Sequence, residues 1–338
     1  DKVATMRRFG EAVGMAFQIQ DDILDYTPSA HTGKPANNDL REGKITLPLL
    51  SVLDRASDER RADLLARLGS VRIIQTAGAG FDSVDHAAAA KLGLIVCNSP
   101  AQNAITVAEH VIGAVICLQR ELAYADETIK SGAYAQARER ILDRGACELF
   151  GATVGIVGLG GIGRALAPRL AAFGATVVAS DVFWPEDFAQ EHGIRRVNLD
   201  ELFAVSDIVT LHCPLMDATR GLVDAARLAS MKPGAILVNA ARGGIVDETA
   251  LAAALERGGI RGAAIDNFES EIPSPGNPLL RLSPEARRRV LFSPHLAGVT
   301  RAAFARLIRQ AIGNLENSLR GLPPQFSVNG LSSIRPSA

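Results

Sequence analysis

The stretch that most constrains this chain runs from Ala152 to Asp181, ATVGIVGLGGIGRALAPRLAAFGATVVASD. A β-prone run, Thr153 to Val157, enters Gly158-Leu159-Gly160-Gly161-Ile162-Gly163. A helical pattern follows through Phe173, and a second apolar run ends at Asp181. Strand, glycine turn, helix and strand in immediate succession give a G-x-G-x-x-G pattern its meaning. Gly158 allows the tight turn, Gly160 lets the backbone approach a pyrophosphate, and Gly163 lets helix and strand pack closely. Gly161 and Ile162 complete the turn, whose unpaired N–H groups at the positive end of the helix suit an anion. Asp181 can accept both hydroxyls of an adenosine ribose and would repel a 2′-phosphate, so the expected cofactor is NAD rather than NADP. The expected fold is α/β, a Rossmann-type doubly wound parallel sheet.

Composition narrows the partners. At 338 residues the chain has room for two cores. A net charge of −1 with no polybasic or acidic run leaves no footprint for nucleic acid. The longest apolar stretch, near Val111 to Leu118, follows Glu109-His110 and is far short of a membrane span. Cys97, Cys117, Cys147 and Cys213 show no C-x-x-C spacing, so neither a disulfide framework nor a zinc site is expected. No signal-peptide pattern is present, and the expected location is cytoplasmic.

Strands are easier to place than helices. Val71 to Thr76 is a buried-strand run ending in Ala77-Gly78-Ala79-Gly80, a loop that is either a plain strand-to-helix turn or a cradle of N–H groups for a carboxylate. His86 to Leu92 is helical, Leu94 to Cys97 a short strand, and Ala104 to Leu122 a long apolar helix on which Glu109 and His110 read as packing or capping residues. Ser131 to Gly145 is expected to be a polar connection. Asp207 to Leu211 ends at His212-Cys213-Pro214, Ala235 to Asn239 at Ala240-Ala241-Arg242, and Val290 to Ser293 at Pro294-His295. Gly262 to Asn267 is followed by Glu269 and Glu271. Each unusual polar residue thus falls just past the carboxyl end of a strand, the edge along which open parallel sheets bind ligands.

Those ends carry the groups that hydride transfer between a 2-hydroxy acid and nicotinamide needs. Arg242 offers a planar, permanent cation for the substrate carboxylate and oxygen. His295 offers a base near neutral pH. A carboxylate beside it would orient the ring and favour its charged form. Glu271 is the first choice for that carboxylate; Glu269 competes, and spacing alone does not separate them.

With these residues in view, positions from about 66 to 320 resemble the D-isomer-specific 2-hydroxyacid dehydrogenases. The carriers are Ala77-Gly78-Ala79-Gly80-Phe81-Asp82, Val107-Ala108-Glu109-His110, Gly158 to Gly163, Leu211-His212-Cys213-Pro214, Asn239 to Gly244, Asp266 to Glu271 and Ser293-Pro294-His295. The resemblance implies catalytic roles for Arg242, Glu271 and His295. It implies cofactor contacts at His212, Cys213, Pro214, Ala240 and Asp266, and a substrate carboxylate held at Gly78 and Ala79. Ala101 stands where the family usually has glycine, and Ile272 separates Glu271 from the proline that normally follows it. A homodimer through the Ala104 to Leu122 helix is also implied.

The front of the chain reads differently. Residues 1 to 26 are a helical pattern on which Asp21 and Asp25 share a face; Asp21, Asp22 and Asp25 are either a solvated acidic helix end or ligands for Mg²⁺ with diphosphate. Phe17-Gln18, Asp21-Asp22-Ile23-Leu24-Asp25, Gly33-Lys34-Pro35 and Glu42 to Pro48 resemble the C-terminal part of trans-isoprenyl diphosphate synthases over about residues 1 to 65. That family needs a first aspartate-rich motif upstream, which this sequence lacks, so the aspartates are expected to be a remnant site without prenyl transfer. Family dehydrogenases open with several strands that this segment replaces. The expected organisation is therefore a helical segment (1–65), a truncated flavodoxin-like substrate domain (66–100 with 296–325) and an NAD-binding domain (101–295). Two further functions follow from the same residues: an NAD-binding protein without turnover, or a diphosphate-binding remnant.

Overall fold

The computed structural model describes residues 73–76, 78–81 and 84–332. Asp21, Asp22, Asp25 and the segment 1–65 lie outside the described residues. The chain divides into two compact units, one spanning 101–305, the other joining residues up to 100 with those from 306 onward.

The larger unit holds a seven-stranded parallel sheet: β3 (Thr153–Val157), β4 (Thr176–Ser180), β5 (Arg195–Arg196), β6 (Ile208–Leu211), β7 (Ile236–Asn239), β8 (Gly262–Ile265) and β9 (Val290–Phe292). Its order is β5-β4-β3-β6-β7-β8-β9. Strand order therefore reverses between β3 and β6, which is the doubly wound arrangement with its ligand crevice at the switch point. The central strands are apolar without alternation, as both faces of a parallel sheet are covered. One core, around Leu202, Phe203, Val209 and Leu251, fills one face. The other, around Val111, Val115, Ile156, Leu166 and Leu170, fills the opposite face.

The helices follow from the same logic. Helix α2 (Ala104–Gln119) buries Val107, Ala108, Val111, Ile112, Val115 and Leu118, at helical spacing. It stops one turn before Leu122 because Glu121 takes a left-handed φ of 49°. A new helix, α3 (Leu122–Lys130), follows, and then α4 (Tyr134–Arg144). The polar connection expected over Ser131 to Gly145 is therefore a helix for most of its length. Its pattern hides this because α4 buries only Ala137. Ion pairs from Arg140 and Arg144 to the buried Glu121 replace a hydrophobic stripe.

Ala101 opens this unit with φ at 62°, the left-handed region that favours glycine. An L-residue there costs about 1–2 kcal/mol. Glycine regains that but loses roughly 0.4–1 kcal/mol through the unfolded chain. Ala101→Gly is therefore expected to raise stability by about 0.5–1 kcal/mol, read as a Tm higher by about 2–4 °C. A lower Tm would show that the methyl group contributes more than its backbone costs.

In the smaller unit β1 (Ile73–Gln75) pairs in parallel with β2 (Ile95–Cys97), and α1 (His86–Lys91) connects them. The other edge of β2 is met by the C-terminal segment. Val328 N–H donates to Val96 O, Asn98 N–H donates to Phe326 O, and Cys97 bridges Ser327 in antiparallel sense. Asn329 adds side-chain bonds to Leu94 O and Val96 N–H. Beyond β1, the carbonyls of Gly78 and Ala79 accept from Ser99 N–H and the Asn98 amide.

Candidate active site

The glycine turn is built as its sequence requires. β3 delivers the chain to Gly158, whose φ of 97° is open to glycine. A Cβ there would stand 2.8 Å from the carbonyl carbon of His212. A Cβ on Gly163, in the first turn of α5 (Gly161–Ala172), would stand 2.4 Å from Gly158 O. Gly160, the N-cap, is different: a Cβ there meets nothing within 4 Å, and no side chain caps the helix. The turn is thus tight behind and open in front, leaving the first N–H groups of α5 to an anion.

Asp181 follows β4. Its Oδ2 accepts from Leu159 N–H at 2.6 Å and its Oδ1 from Phe183 N–H at 2.8 Å. The carboxylate braces the glycine turn and keeps lone pairs for hydroxyl donors. His212, just past β6, places Nε2 at 2.9 Å from Thr210 Oγ1, while its buried Nδ1 has no protein partner. Burial pushes its pKa down to about 3, so the ring is neutral. Burial likewise raises the Cys213 thiol to about 11, so it is not a thiolate. An uncharged lining beside an open N–H cradle fits a dinucleotide.

β7 and β8 place the next groups. Asn239 is buried and ties the loop beyond it, donating to Arg242 O at 2.9 Å and accepting from Ala241 N–H at 3.2 Å. Ala240 lies within that loop. Arg242 is half-buried and donates Nη1 to Ala241 O at 2.8 Å. Asp266, 3% exposed, accepts from the Ser293 hydroxyl at 2.5 Å, Leu296 N–H at 2.9 Å and Ala297 N–H at 3.0 Å. These bonds hold the turn in which His295 adopts a φ of 54°. A non-glycine residue fixed in that region is a strained conformation that its surroundings over-determine.

His295 Nδ1 meets Glu271 Oε1 at 2.6 Å. Glu269 instead donates its backbone N–H to Glu248 Oε1 at 2.7 Å. The geometry separates the two carboxylates that spacing left open. Three contributors escaped the sequence reading. Ser293 and Asn239 lie inside motifs quoted for the resemblance but act through loop geometry that gave them no role there. His110, read as packing, lies with Nε2 at 3.4 Å from Ser293 Oγ. Among the described residues no group of three or more His, Cys, Asp or Glu could hold a metal ion, and no helix is long and apolar enough to cross a membrane.

Sheet order and an open glycine turn define a dinucleotide-binding domain, with a hydrogen-bonded histidine–carboxylate pair past its strand ends. The chain belongs to the D-isomer specific 2-hydroxyacid dehydrogenase family, whose NAD binding domain its residues 112–297 match. The cofactor is NAD. Residues 1–75 match a second family, polyprenyl synthetase. Among similar proteins, D-3-phosphoglycerate dehydrogenase of Archaeoglobus fulgidus is 37% identical over 287 residues, covering 85% of this chain and 52% of the relative. That of Bacillus subtilis is 37% identical over 279 residues, covering 82% and 51%. The chain thus spans about half the length of these relatives. Holo D-mandelate dehydrogenase of Rhodotorula graminis superposes with a TM-score of 0.74 at 28% identity, over 81% of this chain and 80% of its own. D-lactate dehydrogenase of Aquifex aeolicus, complexed with NAD and lactic acid, gives 0.69 at 30%, over 77% and 79%.

Proposed function

We propose that this chain is an NAD-dependent dehydrogenase that moves a hydride between nicotinamide and a D-2-hydroxy acid, with D-3-phosphoglycerate and 3-phosphohydroxypyruvate as its substrate pair. The observation that carries the reading is the 2.6 Å contact from His295 Nδ1 to Glu271. An ionised Glu271 accepts from Nδ1–H, which leaves the Nε2 lone pair of the neutral ring available as a base. Bound NAD supplies the hydride acceptor. Arg242 holds the substrate carboxylate and C2 oxygen, and His295 Nε2 takes the hydroxyl proton as the C2 hydrogen departs as hydride. In reduction the protonated ring returns that proton to the forming hydroxyl. Gly160 to Gly163 hold the pyrophosphate, Asp181 the ribose, and His212 to Pro214 with Ala240 line the cofactor. Asp266 supports the nicotinamide amide. The phosphorylated substrate rests on the relatives' activity.

Assembly belongs to the same proposal. Helix α2 spends its apolar face within its own unit, whereas Ile129, Tyr134, Leu142 and Phe150 are exposed. A homodimer would be covered there more readily than along α2.

A second reading, NAD binding without turnover, is favoured by the smaller unit, whose described residues form a sheet of two strands. NADH oxidation against 3-phosphohydroxypyruvate, hydroxypyruvate, glyoxylate and pyruvate separates the two. The highest kcat/KM is expected for 3-phosphohydroxypyruvate. Preference for another acid would remove the particular substrate, and NADH binding with no oxidation on any would establish the second reading.

A further inference from the structure

At the opposite edge of the larger sheet, where β8 and β9 begin, arginines crowd a cleft. Arg144, Arg261, Arg288 and Arg289 line it with Glu121 and Tyr124. It continues into an open groove bounded by Arg140, Asp143 and Glu285. Five guanidiniums thus face three carboxylates, an excess of two positive charges.

Two of the three carboxylates, Glu121 and Glu285, form ion pairs with arginines. Glu121, buried at the start of α3, takes Arg140 Nε at 2.8 Å and Arg144 Nη1 at 2.7 Å. Glu285 takes the other face of Arg140 through two bonds of 2.8 and 2.9 Å. Arg288 lies 3.6 Å from Glu285 and 5.1 Å above the Tyr124 ring. For Arg261 and Arg289 the bonds found are to backbone carbonyls: Arg261 Nη2 donates to Gln119 O and Gly145 O, and Arg289 Nη2 to Leu255 O. Capping chain ends in this way accounts for the Nη2 groups. It leaves the buried Nε–H of both Arg261 and Arg289 without an acceptor, and buried donors in native proteins are rarely left so. The Arg144 guanidinium is also held below its ordinary pKa, by burial first and then by Arg140, Arg261 and Arg289, although Glu121 opposes the shift. Burial and three neighbouring guanidiniums thus act in the same direction on Arg144.

We propose that this cleft binds a phosphate dianion, free or as the end group of a small phosphomonoester, through Arg144, Arg261, Arg288 and Arg289. A phosphate carries about −1.5 to −2 charge near neutral pH, which balances the excess. Its oxygens match guanidinium forks bidentately. The site lies beyond the amino ends of the strands, away from the glycine turn, and stands independently of the hydride-transfer reading.

Calorimetric titration of the NADH-saturated protein with inorganic phosphate, and separately with glycerol 2-phosphate, tests it against sodium chloride at matched ionic strength. NADH occupies the cofactor cradle during the titration. Saturable binding of one phosphate or ester per chain is expected, weakened about tenfold or more in Arg144→Gln/Arg289→Gln and unchanged in Arg242→Gln. The relative affinity for the two ligands identifies the source of the phosphate. Arg288→Gln, at a more exposed position, is expected to weaken binding severalfold and keeps the test available should the double variant not fold. Absence of saturable binding, equal affinity in these variants, or loss of binding in Arg242→Gln would overturn the proposal.

Discussion

His295→Asn is expected to lower kcat by about a hundred- to ten-thousand-fold, the usual contribution of a positioned general acid–base, while NADH affinity stays within about twofold of the parent's. The asymmetry follows from where the side chain sits. His295 projects from a turn fixed by Asp266, whose bonds to Ser293, Leu296 and Ala297 do not involve the imidazole. Removing the ring takes away the proton acceptor and leaves the scaffold and the glycine turn intact. Glu271→Gln should lower kcat less, because it changes how the imidazole is held and leaves the base in place. Stopped-flow or steady-state NADH oxidation reads both variants. A kcat for His295→Asn within a few-fold of the parent's would remove His295 from the chemistry.

Gly158→Ala is expected to destabilise the protein by roughly 3 kcal/mol or more and to abolish measurable NADH binding, whereas Gly160→Ala should fold normally and lose only affinity. At Gly158 two costs add. A side chain at φ of 97° is strained, at about 1–2 kcal/mol. Its Cβ would also press 2.8 Å from the backbone of His212, where overpacking costs about 1–3 kcal/mol. At Gly160 neither applies, because φ is −76° and no atom lies within 4 Å of an added Cβ. The methyl group would instead occupy the space through which a pyrophosphate approaches the N–H groups of α5. Thermal unfolding with NADH titration of both variants checks the contrast. Equal loss of stability in the two, or full NADH affinity in Gly160→Ala, would contradict it.

Much of the larger unit was legible because its physics is local. The glycines of the turn must be glycines for reasons of φ and close approach, and buried parallel strands read as short apolar runs. Arg242, Glu271 and His295 each follow the carboxyl end of a strand, as their phase in the sequence implied, and Glu271 contacts His295 there. Helix α4 was not legible, since Arg140 and Arg144 hold it through a carboxylate on another element. No periodicity encodes such a tie. Spacing left Glu271 and Glu269 in competition, with Glu271 favoured by the family resemblance, and it is Glu271 that meets His295 Nδ1 at 2.6 Å. The backbone of Glu269 is drawn to Glu248, from α6 (Glu248–Glu256). The left-handed φ of Ala101 had a faint sign in the sequence, as an alanine at a position where related chains favour glycine. The phosphate-sized charge excess at the far edge left none, because Arg140, Arg144, Arg261, Arg288 and Arg289 converge from three separate stretches.

Hydride transfer to the oxo acid is the most direct test of the proposed function. With NADH deuterated at nicotinamide C4 and 3-phosphohydroxypyruvate as acceptor, mass spectrometry should find the deuterium on C2 of the hydroxy acid formed by the parent protein, and none in the same time with His295→Asn. Bound NADH that keeps its label while the oxo acid remains unreduced would contradict it.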